Sequence, residues 1–189
     1  MIEQKHVLIT GAAGFIGKAA VHDLLRRGAT VSALVRRSLP KDLVELERDG
    51  RIRIVKADIR DAAALDKAVG ALHEERAITA IVHCAGRAAD TGWDRSFRAC
   101  NYEGAINVLN ALKRLDIPLF VFISTTDVYG LKNFASADEN TPFDNNLNNP
   151  YPKYKIAFEN YLTNHLEPSR RVILRPAAVW GPGDHTITP

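Results

Sequence analysis

A doubly wound, parallel α/β sheet with helices on both faces is the fold class this sequence predicts, and three observations predict it. Six short apolar runs rich in β-branched residues recur along the chain. Between them lie segments whose apolar residues repeat with helical spacing. The 189 residues, 46% of them hydrophobic, show no internal repeat and no flexible linker, so they suit one good-sized core.

The elements follow in order. "HVLIT" (6–10) is the first strand. Phe15, Ile16, Ala19, Ala20, Leu24 and Leu25 then line one face of a helix that Gly28 is placed to stop. "TVSALV" (30–35) and "RIRIV" (51–55) are the next two strands. A helix runs from Asp61 toward His73, with Leu65, Ala68, Val69 and Leu72 on one side. "AIVHCA" (80–85) is the fourth strand, and a longer helix spans about Trp93 to Leu115. "LFVFIS" (119–124) is the fifth strand, and "RVILR" (171–175), after a helix beginning near Tyr151, is the sixth. Runs this short and apolar are expected to be buried on both faces. The segment 130–150 is long for a loop within a compact domain, so it reads as substrate-facing or as a mobile surface loop. Its asparagines at 145, 146, 148 and 149 carry turn propensity.

Composition narrows the function. A net charge of +3 with scattered basic residues argues against nucleic acid as a partner. Cys84 and Cys100 lack CxxC spacing and read as reduced thiols. The N-terminus enters a strand pattern at once, and no apolar stretch approaches the ~18 residues of a membrane span. The six histidines are unpaired in spacing, so no metal site is expected. A cytoplasmic protein acting on a small-molecule substrate is the expectation.

The turn after the first strand, "GAAGFIG", sets Gly11, Gly14 and Gly17 three residues apart, with Phe15 and Ile16 between the last two. A tight strand-to-helix turn needs residues without Cβ, and so does close approach of a phosphate to backbone N–H groups at a helix N-terminus. A dinucleotide is the ligand such a turn serves. At the end of the second strand, Arg36 and Arg37 stand where an acidic residue would bind a ribose 2′-hydroxyl and an arginine a 2′-phosphate. NADP is therefore the preferred cofactor and NAD the alternative, unless the two arginines belong to a solvated basic loop.

The spacing TGxxGxxG, in its "GAAGFIG" form, resembles the extended branch of the short-chain dehydrogenase/reductase family, of the NAD(P)-dependent epimerase/dehydratase type. The resemblance implies a Rossmann-type domain over 1–189. By that resemblance Asp58 and Ile59, in "KADIRD", meet the adenine; Asp58 reads equally as a helix N-cap, as does Asp61. Ala85 and Gly86, in "HCAGRA", are small enough for the cofactor to cross the strand ends.

"PYPKYK" holds Tyr151 and Lys155 at i and i+4, on one face near a helix start, where Pro152 is tolerated. A free tyrosine, with a pKa of about 10, is a poor base at neutral pH. A neighbouring ammonium and an oxidised nicotinamide would favour its phenolate. "FISTTDVYG" resembles the family's segment ending in "vYG", which assigns Thr125 as the catalytic hydroxyl, with Ser124 the fallback. Some dehydratases of the family carry an acidic pair at the positions of Thr126 and Asp127; here only Asp127 is acidic. Tyr154 replaces the family's usual serine or threonine, which affects local packing, and Asn101 matches a helix asparagine that could be structural.

"LRPAAVWGPGD" resembles the segment after the family's sixth strand, with Pro176 to Val179 beside the nicotinamide. The ending "GPGDHTITP" looks closest to the 3β-hydroxysteroid or sterol dehydrogenase-like subgroup. In the family a substrate lobe of roughly a hundred residues or more follows. Its absence implies a cofactor half with an exposed apolar face, and the family habit of pairing helices 93–115 and 151–166 implies a homodimer. The leading reading is an NADP-dependent oxidoreductase acting on a secondary alcohol or ketone. The alternatives are a nucleotide-sugar epimerase or dehydratase, and a cofactor-binding module without turnover.

Overall fold

Side chains of the first strand, His6–Thr10 (β1), are buried at every position and alternate between two cores. Val7 and Ile9 point into one, with Val21, Val31, Ala33, Leu43 and Leu46. Leu8 points into the other, with Leu65, Val69, Leu109, Phe120, Phe122 and Phe158. This is a computed structural model, and it describes residues 2–37, 39–89, 91–130, 132–144, 148–182 and 184.

The remaining strands are Thr30–Val35 (β2), Ile52–Lys56 (β3), Ala80–His83 (β4), Leu119–Ile123 (β5) and Arg171–Leu174 (β6). They pair in parallel throughout, in the order β3-β2-β1-β4-β5-β6. Helices Phe15–Arg26 (α1) and Lys41–Arg48 (α2) supply the core on the Val7 face. Ala62–Glu75 (α3), Asp94–Phe97 (α4), Gly104–Arg114 (α5) and Pro150–His165 (α6) lie on the Leu8 side. The chain builds outward from β1 to β3, then α3 carries it back to β4 beside β1. Connections leaving β1 and β4 diverge there and open a crevice at the carboxyl ends of the strands.

Three expectations need correction. The helix α2 carries only two buried residues, Leu43 and Leu46, in eight, too few for a visible periodicity, and the sequence reading passed over it. The helix expected over 93–115 runs from Asp94 to Arg114, but not as a uniform α-helix: a π-helical turn, Arg98–Glu103, joins α4 to α5. The third correction concerns β6, which is not buried on both faces. Val172 and Leu174 are 40% and 47% exposed, because α1 and α2 cover the β1–β3 half of that side and, among the described residues, no helix covers β6 there. Val179 and Trp180 are exposed as well, at 41% and 70%.

Local signals explain the ends of the helices. Gly28, with φ +80°, follows the last turn of α1 as expected. Asp61 is the N-cap of α3, its carboxylate accepting from Ala64 N at 3.0 Å. Asn149 caps α6 by accepting from Tyr151 N at 2.9 Å, which fixes where the tyrosine's turn begins. Beneath the crevice, the Thr10 hydroxyl lies 2.7 Å from His83 Nδ1 and accepts from Ala85 N at 3.3 Å. Burial among Phe120, Phe122 and Phe158 depresses His83 to about 3, so it is neutral and ties the end of β4 to β1. Among the described residues, no helix is long and apolar enough to cross a membrane.

Candidate functional site

Two cavities, of about 410 and 530 Å³, lie along the carboxyl edge of the sheet. Both are lined by Gly11, Gly14, Cys84 and Gly86, so they are halves of one cleft that meets over the glycine turn.

Gly11 sits in the left-handed region at φ +68°, and a Cβ there would lie 2.6 Å from Ala85 N. The ends of β1 and β4 can approach this closely only because that atom is missing. At Gly17 a Cβ would lie 2.2 Å from Gly11 O, so α1 packs directly onto the turn. Gly14 is the N-cap of α1 and brings no side chain to cap it. The first-turn N–H groups are left for an anion, and the turn fits a pyrophosphate.

In the first half of the cleft lie Arg36, Arg37, Asp58, Ile59, Ala85 and Gly86, all anticipated from sequence. Arg36 and Arg37 are exposed, and neither forms a salt bridge among the described residues. Asp58 is not a helix cap. Arg60 grips its carboxylate through Nε at 3.0 and 3.2 Å and Nη2 at 2.5 Å, which holds Asp58 down at about 2. The role in adenine binding therefore meets a carboxylate already engaged by a guanidinium. Arg60, Arg87 and Cys100 also line this half and escaped the sequence reading, although Arg60 stands two residues from Asp58. Burial raises both thiols, Cys84 to about 12, so neither is a thiolate near neutrality.

The second half brings together Phe15, Ile16 and Gly17 from the turn, Thr125, Tyr151 and Lys155, and Pro176 to Val179. Thr125 is the N-cap of the short 3₁₀ turn Thr126–Tyr129, its hydroxyl accepting from Asp127 N at 3.2 Å. Lys155 is 5% exposed; its Nζ donates to Ile123 O at 2.7 Å and lies 5.7 Å from the Tyr151 ring. Burial lowers Lys155 to about 8. Tyr151 is raised, by burial first and then by the Asp127 carboxylate, against an opposing hydrogen bond with Thr125. In the chain alone, then, the phenol is held in its protonated form. Asp127, the acidic one of the Thr126–Asp127 positions, lines the cleft as well.

The depressed lysine has a consequence for stability. A lysine titrating near 8 in the fold and near 10.5 when unfolded leaves the unfolded chain with more bound protons between those values. Wild type therefore gains stability relative to Lys155→Met as pH rises from about 8 toward 10.5, with no such gain below 8. Urea unfolding of the two proteins across that range measures it; a flat difference rules out the lowered lysine pKa.

Three neighbours set the frame around these groups. Ser124 lines the same half of the cleft as Thr125, and its buried hydroxyl donates to the Glu159 carboxylate. Asn101, in the π-helical turn, accepts from Arg87 N at 2.7 Å and donates to Arg87 O at 3.0 Å, which pins the segment after β4. Tyr154 donates to Asp94 at 2.5 Å and so ties α6 to α4, the packing change that replaces a serine or threonine.

A model of the NAD dependent epimerase/dehydratase family matches residues 7–189. The chain belongs to that family. It is 32% identical over 190 residues to the 3 beta-hydroxysteroid dehydrogenase/Delta 5-->4-isomerase of Mycobacterium tuberculosis, across 98% of this chain and 50% of that protein. The enzyme WbmH of Bordetella bronchiseptica, solved with NAD+, superposes with a TM-score of 0.81 at 28% identity, over 96% of this chain and 58% of that one. A UDP-glucose-4-epimerase of Stenotrophomonas maltophila, with NAD and formylated UDP-arabinopyranose bound, gives 0.79 at 27% identity, over 91% and 52%. The expected family and the doubly wound sheet are both borne out. The chain spans about half the length of the curated relatives it matches. Gly183 and His185–Pro189, on which the subgroup resemblance partly rests, lie outside the described residues, as do Asn145, Asn146 and Leu147 of the 130–150 segment.

Proposed function

We propose that this chain is the nucleotide-binding half of an NADP-dependent oxidoreductase that moves hydride between the nicotinamide and a secondary alcohol or ketone. One observation carries the reading: Thr125, Tyr151 and Lys155 converge with Pro176 to Val179 on the half of the cleft that adjoins the glycine turn. When bound, the dinucleotide supplies the carbon that gives or takes the hydride. The turn and the α1 N-terminus hold the pyrophosphate, while Arg36 and Arg37 hold the 2′-phosphate. Thr125 orients the substrate oxygen beside Tyr151, and the phenol passes or removes the proton at that oxygen. Lys155 places an ammonium behind the tyrosine. Because the protein environment raises Tyr151, its deprotonation leans on that charge and on the positive nicotinamide.

NADP is favoured over NAD by charge: Arg36, Arg37, Arg60 and Arg87 line the first half of the cleft with one carboxylate, Asp58. Fluorescence titration of the 189-residue chain with NADPH and with NADH tests this reading. NADPH binds more tightly, and Arg36→Ala with Arg37→Ala weakens it by about tenfold or more while changing NADH little. A folded chain that binds neither nucleotide overturns the proposal.

The second reading, a sugar-nucleotide epimerase, is favoured by the match to the Stenotrophomonas maltophila enzyme. It predicts turnover without net consumption of NADPH. Thr126, where some dehydratases are acidic, argues against dehydration. In either reading the open surface of β6, with Val172 and Leu174, supports further polypeptide packing there to complete the substrate side. A homodimer through the helices at 93–115 and 151–166 is part of the proposal; within one chain the two lie side by side, with Tyr102 of the π-helical turn against Tyr161 of α6 at 6.2 Å. Size-exclusion chromatography with light scattering reports it.

A further inference from the structure

Glu159 is 1% exposed, and nothing in the proposed chemistry uses it. It stands on α6 one turn beyond Lys155, on the same helical face. Arg175 donates to its carboxylate through Nε at 3.2 and 3.1 Å and through Nη2 at 2.6 Å. The hydroxyl of Ser124 donates to the same carboxylate. Arg175 Nη1 then reaches Tyr129 Oη at 2.6 Å and Glu139 O at 3.0 Å. Each of these residues has a near neighbour in the reaction half of the cleft. Ser124 precedes Thr125, Arg175 precedes Pro176, and Tyr129 ends the turn that Thr125 caps.

We infer that Glu159 and Arg175 are positioning residues. They lock α6, the end of β5 and the end of β6 together, so that Tyr151 and Lys155, Thr125 and the Pro176 segment stay in register around the nicotinamide end of the cleft. The physical ground is connectivity. A buried pair of full charges is a poor way to add stability, since two apolar residues of similar size often serve as well. A forked, fully hydrogen-bonded pair does what apolar packing cannot: it fixes direction as well as contact. The backbone bonds alone do not fix the joint, because past the β5–β6 pairing, among the described residues, only Ser124 N to Leu174 O and Thr126 N to Pro176 O continue the ladder. The guanidinium also carries the joint to the backbone of the 130–144 segment through Glu139 O.

This inference rests on the nucleotide reading above, and two probes separate the two. NADPH reports on the whole cleft, whereas adenosine 2′,5′-bisphosphate reports on the adenine end only. Glu159→Gln keeps an acceptor for Ser124 but removes the charge. It is expected to weaken NADPH by about tenfold or more, as a displaced binding geometry does. Bisphosphate affinity stays within about twofold of wild type, as befits a distant, independent site. The double variant Glu159→Gln with Arg175→Met leaves no uncompensated buried charge. It gives the same pattern with an intact thermal transition, which covers the case in which the single variant fails to fold. Wild-type affinity for NADPH in the folded double variant overturns the inference. So does a parallel loss of both probes, which marks a general structural role. A wild-type chain that binds neither probe overturns the nucleotide reading first, before any substitution is made.

Discussion

Tyr151→Phe is expected to lower hydride transfer by about a hundredfold to ten-thousandfold, the usual contribution of a positioned proton-transfer group. NADPH affinity should stay near wild type. The substitution removes one oxygen and keeps the ring that Lys155 faces at 5.7 Å, so the cleft retains its shape. Replacing Thr125 by valine tests the neighbouring role: it removes the hydroxyl proposed to orient the substrate oxygen and leaves a side chain of similar volume. The measurement is single-turnover oxidation of bound NADPH by a ketone that wild type reduces. Unchanged turnover in Tyr151→Phe would remove the tyrosine from the proposed chemistry. An equal loss of cofactor binding would make it a structural residue instead.

A larger effect on stability is expected at Gly11. The left-handed conformation costs a side chain about 1–2 kcal/mol on its own. A Cβ would also stand 2.6 Å from Ala85 N and 2.7 Å from Ala85 Cα, both backbone atoms that cannot swing away. With a further overpacking cost of about 1–3 kcal/mol, Gly11→Ala should lose about 3 kcal/mol or more. That is a large fraction of the roughly 5–15 kcal/mol that holds a domain. Gly50 supplies the control. Its φ of +69° matches that of Gly11, but a Cβ there would meet nothing within 4 Å. Gly50→Ala should therefore cost only the conformational part. Urea unfolding of the two variants separates strain from collision; equal losses would show that the approach of β4 to the turn has slack.

Much of the site was legible because it rests on residues whose chemistry is local. A glycine triplet between a strand and a helix, and a tyrosine four residues before a lysine, state their geometry within a few positions. All the residues so singled out line one cleft, including Ala85 and Gly86, which are recognised by small size alone. What escaped has weaker local signatures. Eight residues with two buried leucines do not make a visible helical period, so α2 went unseen. A π-helical turn shifts the register of a helix without changing its composition, so the wider turn at Arg98–Glu103 had no mark in the sequence. A charged residue such as Glu159 carries no mark of its burial until the fold buries it.

The sequence by itself determined the layer order, the parallel sheet and the family, because alternation, helical spacing and glycine placement are properties of neighbours along the chain. Only the tertiary structure decided which polar groups do which work. It gave the Ser124 hydroxyl to Glu159, Asp58 to Arg60, Asn101 to the backbone of Arg87, and Tyr154 to Asp94. Three of those four pairings join residues from 14 to 60 positions apart. A buried polar group must find a partner wherever the fold brings one, and no spacing along the chain says where that will be.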